Sequence, residues 1–136
     1  MITLSKEQIK RLHNMQIDAA GGLDGIRDEA MLDSALFAAF QTFDGIELFS
    51  SITAKIARIA YGLVSNHPFI DGNKRIGTYA MLVLLELNQI HADFTDDDII
   101  RAGLEMANGR MDDKQLLEFI LNHINCRQTK EPLHNE

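Results

Sequence analysis

Cysteine is almost missing from the 136 residues. Cys126 stands alone, which excludes an internal disulfide and makes a reducing cytoplasm the simple expectation. Long apolar runs are missing too. The longest, Tyr79 to Leu85, is far short of the ~20 apolar residues that a bilayer-spanning helix needs, so no membrane role is expected. The N-terminus lacks the charged-then-apolar pattern of a secretory signal. Basic charge is scarce: 13 Lys and Arg stand against 20 Asp and Glu, for a formal charge of −7. That balance argues against a nucleic-acid binder working through a broad basic face. Repeats and low-complexity tracts are lacking. Only residues 127–136 read as a polar tail that should fray.

What is present is a core. Hydrophobic residues make up 46% of the chain, which fits one ordinary domain, expected over residues 1–126. Apolar residues recur at helical spacing in stretches near 5–17, 28–39, 50–66 and 73–88, after Thr95, and near 112–125. Ser5 with Gln8 makes a capping box, and Asp112 with Gln115 a plausible cap. Asp96, Asp97 and Asp98 follow Thr95, where first-turn carboxylates complement the helix dipole rather than bind a metal. Residues 41–48 read as a small hairpin-like insert around Asp44-Gly45. The stretch Tyr79–Leu85 is apolar all round, which predicts that the fourth helix is the innermost one. Gly77 within it should admit a neighbouring helix or a ligand. The expected fold is all-α: a compact bundle of about six helices around a buried central helix, with a small hairpin.

Several candidate sites are set aside. Gly21-Gly22 is not a phosphate loop, because no Lys-Ser pair follows at the required spacing. His123 and Cys126 are too few for a zinc site. His13, His91 and His134 have no carboxylate or cysteine company in sequence and receive no role.

One stretch carries chemistry: His67-Pro68-Phe69-Ile70-Asp71-Gly72-Asn73-Lys74-Arg75. Pro68 disfavours helical backbone at His67, so the third helix should end near Asn66. Asp71-Gly72 is a turn signal. A helix opening near Asn73 leaves its first amides without intrahelical partners. Those amides, the helix dipole, Lys74 and Arg75 converge as a phosphate site. Asp71 suits a magnesium ion shared with phosphate oxygens. His67 suits a general base. Phe69 reads as a buried anchor, and Asn66 as an orienting residue. On chemistry alone two readings stand open: a plain corner between helices, and a site for phosphoryl or nucleotidyl transfer.

The stretch resembles the Fic/Doc signature H-x-F-x-[DE]-G-N-[GK]-R, and every position is met. Fic adenylyltransferases have Gly at the place of Lys74 and a second Arg at the place of Thr78. Both departures resemble the death-on-curing branch. Gly25-Ile26-Arg27-Asp28-Glu29 with Leu32 and Ala35-Leu36, the flap-like Gln41-Thr42-Phe43, Leu82 to Asn88, and the Asp112 to Leu117 region extend the likeness over roughly residues 1–125. Thr3 and Glu7 superficially resemble the family's inhibitory motif. Gln8 departs from it, and Thr78 removes the Arg that such a Glu would engage.

The resemblance implies a kinase-like toxin using ATP and Mg2+ in a bacterial cytoplasm. His67 would be the base, Asp71 the magnesium ligand, and Gly72, Asn73, Lys74 and Arg75 the phosphate cradle, with the Asn73 side chain also hydrogen-bonding a phosphate oxygen. The γ-phosphate would pass to a hydroxyl side chain of a protein, by family analogy an elongation factor. A small cognate antitoxin, disordered until bound, would neutralise the chain. The alternatives are AMP transfer through the same site and a helical binding module whose motif is a relic.

Overall fold

The computed structural model describes the backbone of residues 1–134 and the side chains of residues 1–124. Helix α1 spans Lys6–Ala20 and α2 Glu29–Phe37, the latter running into a 3-10 turn, Ala38–Phe40. Strands β1 (Thr42–Phe43) and β2 (Ile46–Glu47) form an antiparallel hairpin. Helices α3 (Ile52–Ser65), α4 (Asn73–Leu87), α5 (Asp96–Ala107) and α6 (Asp113–His134) complete the chain. This is the all-α bundle with a small hairpin that the periodicity predicts.

The caps explain the helix starts. Ser5 and Gln8 form the reciprocal box on α1, as do Thr95 and Asp98 on α5. Asp28 caps α2, Ser51 caps α3, and Asp112 exchanges hydrogen bonds with Gln115 at the head of α6. Asp44 and Gly45 both have positive φ, 53° and 77°, as a type I′ hairpin turn requires. The last helix passes the end expected near Asn125. Side chains beyond residue 124 lie outside the described part, and with them the character of the polar tail at 127–136.

The innermost helix is α3, not α4. It packs against α2, α4, α5 and α6, whereas α4 meets α1, α3 and α5. Tyr79, Leu82 and Val83 on α4 keep part of their surface in solvent, so its all-round apolar character does not mean burial on every side. Small residues decide the matter. A Cβ on Gly62 would stand 3.0 Å from the Cα of Ala35, so α2 crosses α3 at backbone contact. A Cβ on Gly77 would stand 2.4 Å from the Val64 side chain, so Gly77 serves helix approach and not a ligand. Ile56, Ile59, Leu63, Ile76, Met81 and Leu84 are fully buried around this crossing. The consequence for function is a rigid α3–α4 corner.

Candidate active site

The corner is built from the end of α3 outward. Pro68 cannot continue the helix, and the chain turns through His67 at φ 49°. A left-handed conformation at a residue with a Cβ costs of order 1–3 kcal/mol and persists only where the surroundings impose it. Here they do. Arg27, on the loop before α2, donates from Nε to the His67 carbonyl at 2.6 Å and from a terminal nitrogen to the Asn66 carbonyl at 2.9 Å. The amides of Arg27 and Asp28 donate to the Pro68 carbonyl at 2.8 and 3.0 Å. The Asn66 side chain donates to the Met31 carbonyl, tying the end of α3 to α2. The His67 side chain is exposed.

Below His67 the loop is anchored. Phe69 is buried, and its ring stacks on His13 of α1 at 3.8 Å between centroids and 9° between planes. The Asn73 side chain accepts from the Phe69 amide and donates to the Phe69 carbonyl, each at 3.0 Å. That corrects one expectation. The carboxamide of Asn73 is committed to the loop, so only the Asn73 backbone amide is left to face a ligand. His13, which received no role above, is 1% exposed and donates from Nε2 to the Asp71 carbonyl at 2.7 Å.

Asp71 lies at the rim. Its carboxylate accepts from the Leu23 amide at 3.2 Å and from the Gly72 amide at 2.8 Å. Those two amides, with the nearby charges of Arg75 and His13, hold its pKa below the ordinary carboxylate value. Gly72 follows at φ 79°, a left-handed position suited to glycine, and no side chain caps α4. The first amides of α4 are therefore left without a side-chain cap at the positive end of the helix dipole. Lys74 is exposed beside them and enters no ion pair among the described residues.

A cleft of about 330 Å³ opens over this corner. His67, Asp71, Gly72, Asn73 and Lys74 border it together with Arg27, and Ala107 of α5 closes the far wall. Arg75 is the exception. Its guanidinium donates to the Gly21 carbonyl at 3.0 Å, and the residue borders a neighbouring, mostly apolar groove of about 350 Å³ with Gln16, Thr78 and Tyr79. Lys74 stands between the two openings. Thr78 returns its hydroxyl to the Lys74 carbonyl and adds no charge to either.

Among the described residues, no group of three or more His, Cys, Asp or Glu could hold a metal by itself. One exposed carboxylate, Asp71, beside the uncapped head of α4 is compatible with magnesium, which keeps waters and takes its other oxygens from phosphates.

A family model described as Fic/DOC family matches residues 3–85, more than half of the chain. The chain belongs to the Fic/DOC family. Within this Fic/DOC chain the matched region contains α1 to α3, the hairpin, the motif loop and most of α4. A relative named Toxin Doc, from Mycolicibacterium smegmatis (strain ATCC 700084 / mc(2)155), is 35% identical over 81 residues, covering 58% of this chain and 62% of the relative. The alignment thus spans about three fifths of that protein. No helix among the described residues is long and apolar enough to cross a membrane.

Proposed function

We propose that this Fic/DOC chain is a toxin-type protein phosphotransferase that moves the γ-phosphate of ATP to a hydroxyl side chain of a protein target, the bond from the γ-phosphorus to the β–γ bridging oxygen breaking and ADP leaving. The observation that carries the reading is the placement of His67 across one cleft from the uncapped head of α4 and Lys74. His67 takes the proton of the incoming hydroxyl at an imidazole nitrogen. The amides at the start of α4, from Asn73 onward, bind phosphate oxygens with the help of Lys74, and they do so without reorganising. Gly72 lets the backbone come close. Arg75 adds positive potential from beside the cradle. Asp71 would hold magnesium, which supplies charge neutralisation for the triphosphate.

Lys74 supports phosphate over AMP transfer: a long cationic side chain occupies the place where adenylyltransferases leave room with glycine. The relative's name supports a toxin role and a cognate antitoxin as partner. An elongation factor is the proposed target by the resemblance to the death-on-curing branch. Antitoxin and target would meet the chain in a bacterial cytoplasm.

Incubation with γ-labelled or α-labelled ATP and a bacterial lysate tests the reading. Label should reach protein from the γ position only. His67→Ala should reduce transfer by roughly 10²–10⁴-fold, the usual worth of a general base. Transfer of α-label would establish AMP transfer instead. Growth inhibition that survives His67→Ala would favour a binding module.

A further inference from the structure

The motif does not hold its own histidine. Asn73 fixes Phe69 and Asp71 fixes Leu23, but neither touches the backbone of His67. Arg27 does, and it lies 40 residues earlier in the chain. Its fork reaches the carbonyls of Asn66 and His67, while the adjoining amides take the carbonyl of Pro68. Three successive carbonyls thus face one short segment. Successive carbonyls of an extended chain point to opposite sides. Turning three of them to one side needs a curl, and the positive φ of His67 is that curl. The Asn66 carbonyl also lies at the C-terminal end of α3, where a cation is favoured by the helix dipole. A planar guanidinium can serve two carbonyls in fixed directions. An ammonium acts as a point charge on a flexible stem and cannot reproduce that geometry.

We propose that Arg27 is the positioning residue of the catalytic base: by binding the Asn66 and His67 carbonyls together, it holds His67 in the left-handed conformation and aims the imidazole into the cleft. The word catalytic rests on the transfer reading above; the clamp itself does not. Arg27 stands outside the motif, so the clamp couples the loop before α2 to the chemistry at the α3–α4 corner.

Two readouts test it on the full chain. The first is the transfer assay. Arg27→Gln should lower kcat by roughly 10²-fold, the scale on which small misplacements cost rate, with KM for ATP within about twofold. Arg27→Lys should lose nearly as much. Adding Arg27→Gln to His67→Ala should cost nothing further, because the two act as one unit.

The second readout needs no activity. The Cα and Cβ chemical shifts of His67 report its backbone conformation, and in Arg27→Gln they should move toward extended values while core amides stay in place. Unchanged His67 shifts would overturn the clamp, and an unchanged kcat, a loss confined to KM, or a further loss in the His67→Ala background would each overturn its role in positioning the base. If the wild type transfers no label, the transfer reading fails and the chemical shifts alone decide the clamp. If Arg27→Gln does not fold, Arg27→Lys carries the same two readouts, since it keeps the charge and the stem.

Discussion

Two short connectors bracket α3, and they are built in opposite ways. The loop at 66–72 is tied from four sides: by Arg27 before α2, by His13 of α1, by the Leu23 amide, and by Asn73 from α4. Pro68 and Phe69 are buried within it. The hairpin at 41–48 is exposed throughout, with Phe43 75% and Ile46 69% exposed. Its described ties to the bundle centre on Lys55, which donates to the Phe49 carbonyl and pairs with Glu47 at 3.1 Å. A group that moves protons must be placed to within a fraction of an ångström. A segment that only presents surface needs one hinge and an apolar face. On the proposed transfer reading, the difference between the connectors is a difference in how much positional error each job tolerates.

The largest break in that comparison comes from Asn73. Replacing it by Ala strips the buried Phe69 backbone of a donor and an acceptor together. Each unsatisfied group costs about 1–3 kcal/mol, so a loss of about 2–6 kcal/mol is expected in chemical denaturation. Asn73→Asp keeps an acceptor for the Phe69 amide and should lose about half as much. Transfer should fall with both. A near-neutral Asn73→Ala would mean that Phe69 and its stack on His13 hold the loop unaided.

The hairpin should respond more mildly. Lys55→Met keeps the buried stem and leaves the Phe49 carbonyl without this donor, at about 1–2 kcal/mol. The pair with the half-exposed Glu47 contributes less than about 1 kcal/mol beyond that. Amide exchange should quicken across Thr42–Glu47, while the amides of Phe69 and Ile70 keep their protection. Equal loosening of both connectors would show that hairpin and motif loop are one unit.

Three helix starts were legible because each carries its own local signal. Ser5 and Asp112 cap where their spacing to Gln8 and Gln115 predicts, and Thr95 caps ahead of its aspartates. The innermost helix was not legible. Burial was inferred from apolar content, and the residues that seat α3 at the centre are small ones, Ala35, Gly62 and Gly77, whose contribution is closeness. His67, Asp71, Gly72 and Lys74 of the motif border one cleft. The motif misled only on the Asn73 side chain, because a carboxamide at a helix head looks the same in sequence whether it faces a ligand or turns inward. It missed His13 and Arg27, whose partners are backbone carbonyls about 40–60 residues away. A backbone acceptor has no residue type, so no composition or spacing reveals it. The one available hint was that α1 places His13 on the buried face it shares with Ile9 and Ile17.

The smallest expected effect lies at the rim, and acid separates it from the rest. The Leu23 and Gly72 amides hold the Asp71 carboxyl below its ordinary pKa, with Arg75 and His13 adding to the shift. A group depressed in the folded state stabilises the fold above its unfolded pKa, about 3.9 for Asp, and that stabilisation is lost as pH falls through the lower folded value. Between neutrality and pH ~5 the tie to Leu23 should thus be constant. Below the ordinary carboxylate range, the Asp71 carboxyl carbon and the Leu23 amide should titrate together in an NMR series, with a midpoint under the usual value. Asp71→Asn should remove the joint titration and narrow its own stability gap to the wild type at low pH. A midpoint at or above the ordinary value would mean that the carboxylate faces solvent more than Leu23. The rim of the cleft would then behave like the hairpin, as surface, and the contrast between the two connectors would stop at Phe69.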